Sequence, residues 1–310
     1  MNDIKIYKKI DTIRPTMIAG WPGMGNVALG AIEYLKKGLE AKRFAEITID
    51  PSTALDSMVV DDGLASFPPP PKNTFYYSKD HDIIIFEGEA QLVGHAGLEL
   101  LNQVLDISTQ FKVSRIYTGA AFPMPLGYKN ASEVYVAANK PELRDLMETF
   151  GVKLMEGGHI SGLNGLLLGF AEKRKIDAIC LLATIPQYAL SIPNPRASLA
   201  IIEVLSKALN FQVELHDINE YIKEIDEKMS MIEDKVKDVF SAGDEKHEKP
   251  REKQPREKKI PGYVLGRIEK LFEEAKADKK KAMDLKRELD RWDLYKAYED
   301  RFLDLFKDTQ

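Results

Sequence analysis

Apolar and polar positions along the first 220 residues alternate in blocks that predict strands followed by helices. Short, nearly unbroken apolar runs bounded by turn residues, such as residues 83–86 and 176–183, are typical of strands buried on both faces. Runs with apolar positions three and four apart predict helices. Strands are predicted at residues 4–10, 16–21, 44–49, 75–78, 82–87, 114–118, 134–138 and 176–183, and helices at 27–39, 94–111, 141–150, 166–174 and 198–210. This alternation predicts βαβ units and an α/β fold with a mainly parallel sheet.

The pattern changes near residue 220, where a helix with a narrow apolar seam is predicted. Its apolar residues are three and four positions apart, and the rest is rich in Glu, Asp and Lys: Ile222, Ile225, Met229, Ile232, Val236 and Val239. Residues 242–262 carry three prolines, dense charge and almost nothing apolar, which predicts a flexible linker. The expected organisation is an α/β core at 1–220, an amphipathic helix at 221–241, the linker at 242–262 and a helical segment at 263–310.

The C-terminal segment at 263–310 largely keeps the three-four spacing, and a charged gap at 278–281 suits a division into two helices. Six of its apolar residues are the predicted interaction residues: Leu285, Leu289, Trp292, Tyr295, Phe302 and Phe306. A seam this narrow is marginal alone in water. It needs a surface of the same chain, of a sister subunit or of another protein, and we predict a contact between chains.

Composition excludes several function classes. The 310 residues are 44% hydrophobic, which is enough for a large core and an appendage. The net charge of −5 gives no bulk electrostatic case for nucleic acid. No apolar run is long enough for a signal peptide or a membrane span. The single cysteine, Cys180, lies in an apolar strand as an expected inert thiol, which fits a reducing, cytoplasmic setting.

Loops rich in glycine and proline follow the predicted strands, and residues 157–198 hold the densest set. Four glycines between 157 and 165 precede one helix, and prolines at 193 and 195 precede another, for which Ser198 is the predicted N-cap. In open α/β sheets ligands bind at this edge. The loops are equally consistent with well-made turns, because no base or nucleophile pair stands out among them.

The loop at residues 20–28 is the one most like a nucleotide site. Its residues 23–28 match G-x-G-x-x-A between a strand and a helix, and Asp50 ends the next strand, where a dinucleotide fold places its ribose-binding acid. Gly23, Gly25, Asn26 and Asp50 are therefore the candidate cofactor-binding residues, on a pattern that is weak by itself. A P-loop is excluded, because Asn26 stands where its Lys should be.

Other polar candidates are sparse. Glu87 and Glu89 with His95 make a thin acid–base or metal group, and carboxylates placed near the N-terminus of the following helix explain them better. His159 is expected to be a loop histidine that bonds the backbone. The sequence has no G-x-S-x-G motif and Cys180 is expected to be buried, so no residue stands out as a catalytic nucleophile. We expect no catalytic residue, no metal and no cofactor.

Four stretches together resemble one protein family. They are residues 20–27 (GWPGMGNV), 162–168 (GLNGLLL), 183–188 (ATIPQY) and 193–195 (PNP). In order and spacing they resemble the proteasome assembly chaperone family, the archaeal and bacterial relatives of a eukaryotic 20S assembly chaperone. The resemblance covers roughly residues 10–220.

The resemblance implies a three-layer α/β/α sandwich like the phosphorylase/hydrolase class, homo-oligomers, no established catalysis, and binding to proteasome subunits or related complexes. Some archaeal relatives end in a hydrophobic residue, Tyr and any residue, a tail that docks in proteasome pockets. Here Thr309 stands at the Tyr position, which argues against tail-first docking.

The predicted function is therefore a cytoplasmic, non-enzymatic, homo-oligomeric scaffold of the proteasome-assembly-chaperone type, with no nucleic acid or membrane partner. The alternative is a small-molecule enzyme of the phosphorylase/nucleosidase type, or a nucleotide-binding protein. Its pocket would be formed by residues 23–26, Glu87, His95 and Asn164.

Overall fold

The computed structural model describes residues 3–50, 58–244, 262–277 and 281–291, together with Leu294, Tyr298, Arg301, Phe302 and Leu305. The chain divides into two compact units, Met1–Asp244 and Glu245–Gln310. Of the predicted linker, residues 245–261 lie outside the described residues, as do 278–280 of the charged gap.

The first unit alternates strands and helices. Its strands are β1 (Asp3–Ile6), β2 (Thr16–Gly20), β3 (Lys42–Thr48), β4 (Val59–Asp61), β5 (Leu64–Ser66), β6 (Asn73–Ser78), β7 (Ile83–Gly88), β8 (Arg115–Met124), β9 (Val134–Ala138), β10 (Lys153–Leu154) and β11 (Asp177–Pro186). Its helices are α1 (Val27–Gly38), α2 (Gly94–Gln110), α3 (Pro141–Glu148), α4 (Leu163–Lys173), α5 (Pro195–Leu209) and α6 (His216–Asp244). The second unit contains α7 (Gly262–Ala277) and α8 (Ala282–Arg291).

Nine strands form one sheet in the order β1-β3-β6-β7-β2-β8-β11-β9-β10. Its four central strands, β7, β2, β8 and β11, are all paired in parallel. The pairs of β1 with β3, β3 with β6, β6 with β7 and β11 with β9 are antiparallel. The predicted α/β fold with a mostly parallel sheet is thus confirmed, and the sheet is mixed rather than purely parallel.

Helices cover both faces of the sheet because successive strand residues point to opposite faces. Ile18 of β2 joins a core formed with α1, α3 and α5, and its neighbours Met17 and Ala19 join a second core formed with α2 and α4. Both faces of the central strands are therefore apolar, which explains the unbroken apolar runs in the sequence.

Two helices begin earlier than predicted. α4 begins at Leu163 instead of residue 166, and α5 begins at Pro195 instead of 198. The prediction of Ser198 as N-cap is wrong: Asn194 caps α5, and its side-chain oxygen accepts a hydrogen bond from the Ala197 amide at 3.0 Å. Pro195 occupies the first helical turn, where its missing N–H costs nothing.

The second unit has a small core of its own. Its buried side chains come from α7, α8 and the residues after them: Ile268, Phe272, Ala275, Ala282, Leu285, Leu289, Leu294 and Phe302. Arg301 closes this core with two hydrogen bonds to Glu269, at 2.7 and 2.6 Å, and lies 4.2 Å from the ring centre of Phe272.

Three of the predicted interaction residues are therefore not left in water. Leu285, Leu289 and Phe302 are buried among side chains of their own unit. The other three, Trp292, Tyr295 and Phe306, lie outside the residues whose side chains are described. A contact of this unit with another chain stays a prediction, and it would need other side chains or an opening of this core.

Candidate functional site

The loop that follows β2 meets the loop that follows β11 at the carboxyl edge of the central strands. The Gly25 amide donates to the Leu190 carbonyl at 2.7 Å, and the Gly25 carbonyl accepts from the Asn194 amide at 2.8 Å. The Asn26 amide in turn donates to the Gly23 carbonyl at 2.9 Å. The amides of residues 25 and 26, which a phosphate-binding loop would offer to its ligand, are thus used inside the protein.

Gly25 is a glycine for two physical reasons. Its φ of +62° lies in the left-handed region, which a side chain disfavours. A Cβ at this position would also lie 3.3 Å from atoms of Asn194 and Val27, and 3.4 Å from Ile185. The glycine therefore allows two loops to pack closely, which is a structural role.

Asn164, in the first turn of α4, ties the loop before this helix to the same edge. Its side-chain oxygen accepts from the Trp21 amide at 3.0 Å, and its side-chain nitrogen donates to the Trp21 carbonyl at 3.1 Å. The Thr118 hydroxyl donates to the Asn164 carbonyl at 2.9 Å. Asn164 is 4% exposed, so the amide that the enzyme alternative places in a pocket is instead a buried bridge to the backbone.

The sheet order rules against the dinucleotide arrangement. In such a fold the strand that carries the ribose-binding acid lies beside the first strand. Here β6 and β7 separate β3, which ends just before Asp50, from β2. At roughly 4.8 Å per strand, Asp50 starts about 14 Å from the loop at residues 23–26. This separation argues against one cofactor site made of Asp50 with Gly23, Gly25 and Asn26, and that site stays a prediction.

Glu87, Glu89 and His95 do not form one group. Glu87 forms an ion pair with Lys36 at 2.6 Å, while Glu89 accepts a hydrogen bond from the Lys72 amide at 2.9 Å. The His95 side chain is 92% exposed. The two carboxylates were expected to interact with the N-terminus of the following helix, and each of them instead has a separate partner, Lys36 for Glu87 and the Lys72 amide for Glu89. Among the described residues, no cluster of three His, Cys, Asp or Glu side chains could hold a metal ion.

The ion pair of Glu87 affects its neighbours. Burial is the largest single influence and lowers the pKa of Lys36, but the hydrogen bond to Glu87 and the negative charges around Lys36 together outweigh burial and raise the pKa overall. Burial, and secondly the Glu87 charge, raises the pKa of both Glu33 and Tyr76. Elsewhere, burial raises the pKa of the Cys180 thiol to about 12, so this cysteine stays protonated and unreactive. His159 lies in an exposed loop.

A groove of about 300 Å³ lies beside this edge, between α1, the loop before α5 and the start of α6. Its walls include aliphatic, aromatic, proline and charged residues: Leu29, Glu33, Tyr34, Pro193, Pro195 and Tyr221. The Lys37–Asp217 ion pair, at 2.5 Å, joins α6 to α1, and a hydrogen bond from the Tyr34 hydroxyl to the Glu214 carbonyl joins α1 to the residues just before α6. Of the predicted cofactor-binding candidates, Gly25 and Asn26 line this groove. The rest of its walls was not predicted, because the packing of α6 on α1 brings them together.

The layout of the first unit is that of the PAC2 family, and the chain belongs to this family: its residues 17–233 match it. Among solved structures it is similar to PbaB of Pyrococcus furiosus, an archaeal proteasome activator. The TM-score is 0.65 and the identity 26%, over 75% of this chain and 98% of PbaB.

Two other relatives extend the comparison. PbaA of Pyrococcus furiosus, an archaeal homolog of proteasome-assembly chaperone, has a TM-score of 0.60 at 21% identity, over 77% of this chain and all of PbaA. The uncharacterized protein MJ1210 of Methanocaldococcus jannaschii is 24% identical over 251 residues, which are 78% of this chain and 93% of MJ1210. The resemblance predicted from the loops is thus confirmed. Within the part of the chain that the structure describes, no helix has the length and apolar content that a bilayer span requires.

Proposed function

We propose that this protein is a non-enzymatic, homo-oligomeric scaffold that binds proteasome subunits or a related complex. The observation that supports this proposal most is the PAC2 match over residues 17–233, together with a fold shared with a proteasome activator. The likeness of the sandwich to the phosphorylase/hydrolase class, and a cytoplasmic location, belong to the same proposal.

The loop chemistry favours a scaffold over an enzyme. Three of the groups that the enzyme alternative requires have internal partners: Asn164 bonds Trp21, Glu87 pairs with Lys36, and Gly25 bonds Leu190. Catalysis needs groups aimed at a reacting atom with a pKa suited to proton transfer. The polar groups at this edge instead hold three loops in one shape, which is what a binding surface requires.

The test mixes the tagged full-length chain with recombinant proteasome subunits from the same organism and measures mass by native mass spectrometry. We expect a complex that forms without nucleotide. A parallel sample lacking residues 245–310 assigns the contact to one unit, and we expect it to stay oligomeric while losing part of its affinity. Failure of the full chain to bind any proteasome subunit at micromolar concentration would contradict the proposal.

One observation favours the second candidate, a small-molecule or nucleotide site. The groove beside Gly25 and Asn26 has aromatic walls, and the carboxylate of Glu33, whose pKa burial raises, also lines it. A ligand at 100 times its Kd would stabilise the fold by about 2.7 kcal/mol, which raises Tm by several degrees. Thermal unfolding with millimolar nucleosides and nucleotides tests this candidate, and the scaffold proposal expects no shift.

A further inference from the structure

Glu33, which lines the groove beside α1, does not pair with either of the lysines that follow it on this helix. Lys37, four residues further on, also lines the groove, and such a spacing allows an ion pair across one turn. The Lys37 ammonium instead pairs with Asp217 of α6 at 2.5 Å. Lys36, three residues after Glu33, pairs with Glu87 at 2.6 Å. Both nearby lysines therefore neutralise other carboxylates.

The groove is left with one uncompensated negative charge. Its walls contain three charged residues, of which Lys37 and Asp217 cancel each other and Glu33 remains. Among the residues that the structure describes, the Glu33 carboxylate has no hydrogen bond and no ion pair. Burial, and secondly the Glu87 charge, raises the pKa of this group, so the fold draws it out of water without replacing the contacts it loses. A groove of this kind attracts a cation.

The donors that an anion would need at this groove are in use. The Gly25 and Asn26 amides bond carbonyl groups inside the protein. The N-terminus of α5 also borders the groove, and a helix N-terminus favours an anion. Its first residue, Pro195, has no N–H, however, and the Asn194 side chain occupies the Ala197 amide at 3.0 Å. These groups are thus not available to a phosphate or carboxylate ligand.

The other walls of the groove favour a planar cation. Tyr34, Tyr221 and Leu29 line it. Tyr34 is held in place, because its hydroxyl donates a hydrogen bond to the Glu214 carbonyl. Aromatic rings attract cations, and a guanidinium group stacks on such rings and is more weakly hydrated than an ammonium. A carboxylate can accept two parallel hydrogen bonds from a guanidinium, which matches the free carboxylate of Glu33.

We infer that this groove binds a small alkylguanidine, whose cation is held by the Glu33 carboxylate and the rings of Tyr34 and Tyr221. This inference names the ligand class for the groove of the second candidate function and rests on that candidate. The groove volume of about 300 Å³ lies at the lower end of the range for ligand sites, which favours a small molecule over a peptide.

The test measures binding to the full-length chain by isothermal titration calorimetry. The probe is n-butylguanidine, and its control is n-butylurea, which has nearly the same shape and no charge. We expect n-butylguanidine to bind with a Kd of about 1 mM, as a ligand of this size can. The urea should bind at least about tenfold more weakly, because it loses a hydrogen bond between charged groups. Equal affinity of the two probes, or no binding of n-butylguanidine at about ten times that Kd, would overturn the inference.

Variants of the groove assign the contact to its residues. Glu33→Gln should weaken the binding of n-butylguanidine about tenfold, because the charged acceptor is lost. Tyr221→Leu should weaken it about threefold, and Tyr221→Phe, which keeps the ring, should not. Glu172→Gln makes the same charge change on α4, at the other face of the sheet, and should keep the wild-type affinity. An unchanged affinity in Glu33→Gln would contradict the inference.

Two single variants of the Lys37–Asp217 pair should change the affinity in opposite directions. Asp217→Asn frees the Lys37 ammonium to pair with Glu33 across one turn of α1, so n-butylguanidine should bind more weakly. Lys37→Met leaves Asp217 as a second unpaired carboxylate in the groove, so the probe should bind more tightly. Weaker binding in both variants would mean that the pair only maintains the shape of the groove, and would overturn the inference.

Two further ligands separate this inference from the proposals it adjoins. A Tm shift with nucleosides but no binding of n-butylguanidine would keep the groove as a ligand site and overturn the guanidinium assignment. Binding of N-acetyl-arginine amide at least tenfold tighter than n-butylguanidine would assign the groove to an arginine side chain of a partner protein, and would also overturn it. We expect Glu33→Gln to lose the probe and to bind proteasome subunits as wild type does, which would support the groove as a separate site.

Discussion

At the residue scale, the carboxyl edge of the sheet is shaped by side chains that bond backbone. Trp21 is fully buried and lies so close to β7 that a Cβ at Gly88 would come within 2.3 Å of its Cδ1. Asn164 holds both backbone groups of Trp21 from the other side. The loop motifs therefore serve the packing of three loops, and substitutions there act on stability first.

Gly25→Ala should destabilise the first unit more than Gly94→Ala. Both glycines have nearly the same φ, +62° and +61°, so each substitution costs about 1–2 kcal/mol from the left-handed conformation. Only at Gly25 would the new methyl group also meet neighbours at 3.3 Å, whereas nothing lies within 4 Å at Gly94. Urea unfolding followed by Trp21 fluorescence, in a Trp292→Phe background, measures the difference. Equal losses would show that crowding at Gly25 is unimportant.

Glu33→Gln should raise Tm at pH 7 and have no effect well below pH 4.5. Burial, and secondly the Glu87 charge, raises the pKa of Glu33 above its ordinary value of 4.5. The native state therefore binds this proton more strongly than the unfolded state, and stability falls as pH rises through this range. Gln removes the charge that the fold disfavours. Glu172→Gln, on α4 at the other face of the sheet, is the control; an unchanged or lower Tm for Glu33→Gln at pH 7 would contradict the expectation.

At the element scale, helix beginnings were harder to predict than helix bodies. α1, α2 and α3 begin where the apolar periodicity predicts, at Val27, Gly94 and Pro141. α4 and α5 begin three residues early because their first turns contain residues that read as loop, Asn164 with Gly165 and Pro195. The signal for α5 was present: Asn followed by Pro is a good N-cap and first-turn pair.

Asn194→Ala should lower the stability of the first unit by about 1 kcal/mol, because the Ala197 amide loses its cap. Asn194→Asp and Asn194→Ser keep an acceptor at the same place and should retain most of the stability. The same unfolding assay measures all three variants. Equal losses in Ala, Asp and Ser would mean that the side-chain cap contributes nothing.

The hairpin of β4 and β5 was missed although its sequence carries a strong signal. Asp62-Gly63 is a preferred two-residue hairpin turn, and Val59-Val60 before it has high strand propensity. The strands are only three residues long, so their apolar run is too short for periodicity to detect. Turn chemistry would have found them.

At the scale of the whole molecule, alternating strands and helices predict the parallel centre of the sheet but not its order. Predicted strands at 75–78 and 82–87 are only three residues apart, which permits an antiparallel pair and forbids a parallel crossover. This spacing therefore predicts the antiparallel pairing of β6 with β7 that the structure shows. The sequence did not predict that β3 lies on the far side of β6 and β7 from β2, because β2, β3 and β7 have similar apolar runs. The sheet order argues against the candidate cofactor site for this reason, since that site assumed that β3 lies beside β2.

Leu289→Asp in the full-length chain should unfold the second unit and leave the first unit intact. Leu289 is fully buried in a core made by α7, α8, Leu294 and Phe302, and an unpaired carboxylate there costs several kcal/mol. The free energy of unfolding of a unit with so small a core is less than this cost. The first unit, Met1–Asp244, keeps its own two cores on the faces of the sheet. Helical circular dichroism should therefore fall, while the Trp21 transition keeps its midpoint.

Lys286→Asp, at an exposed position of the same helix, should change neither signal. A parallel loss of the Trp21 transition in Leu289→Asp would mean that the two units depend on each other for stability.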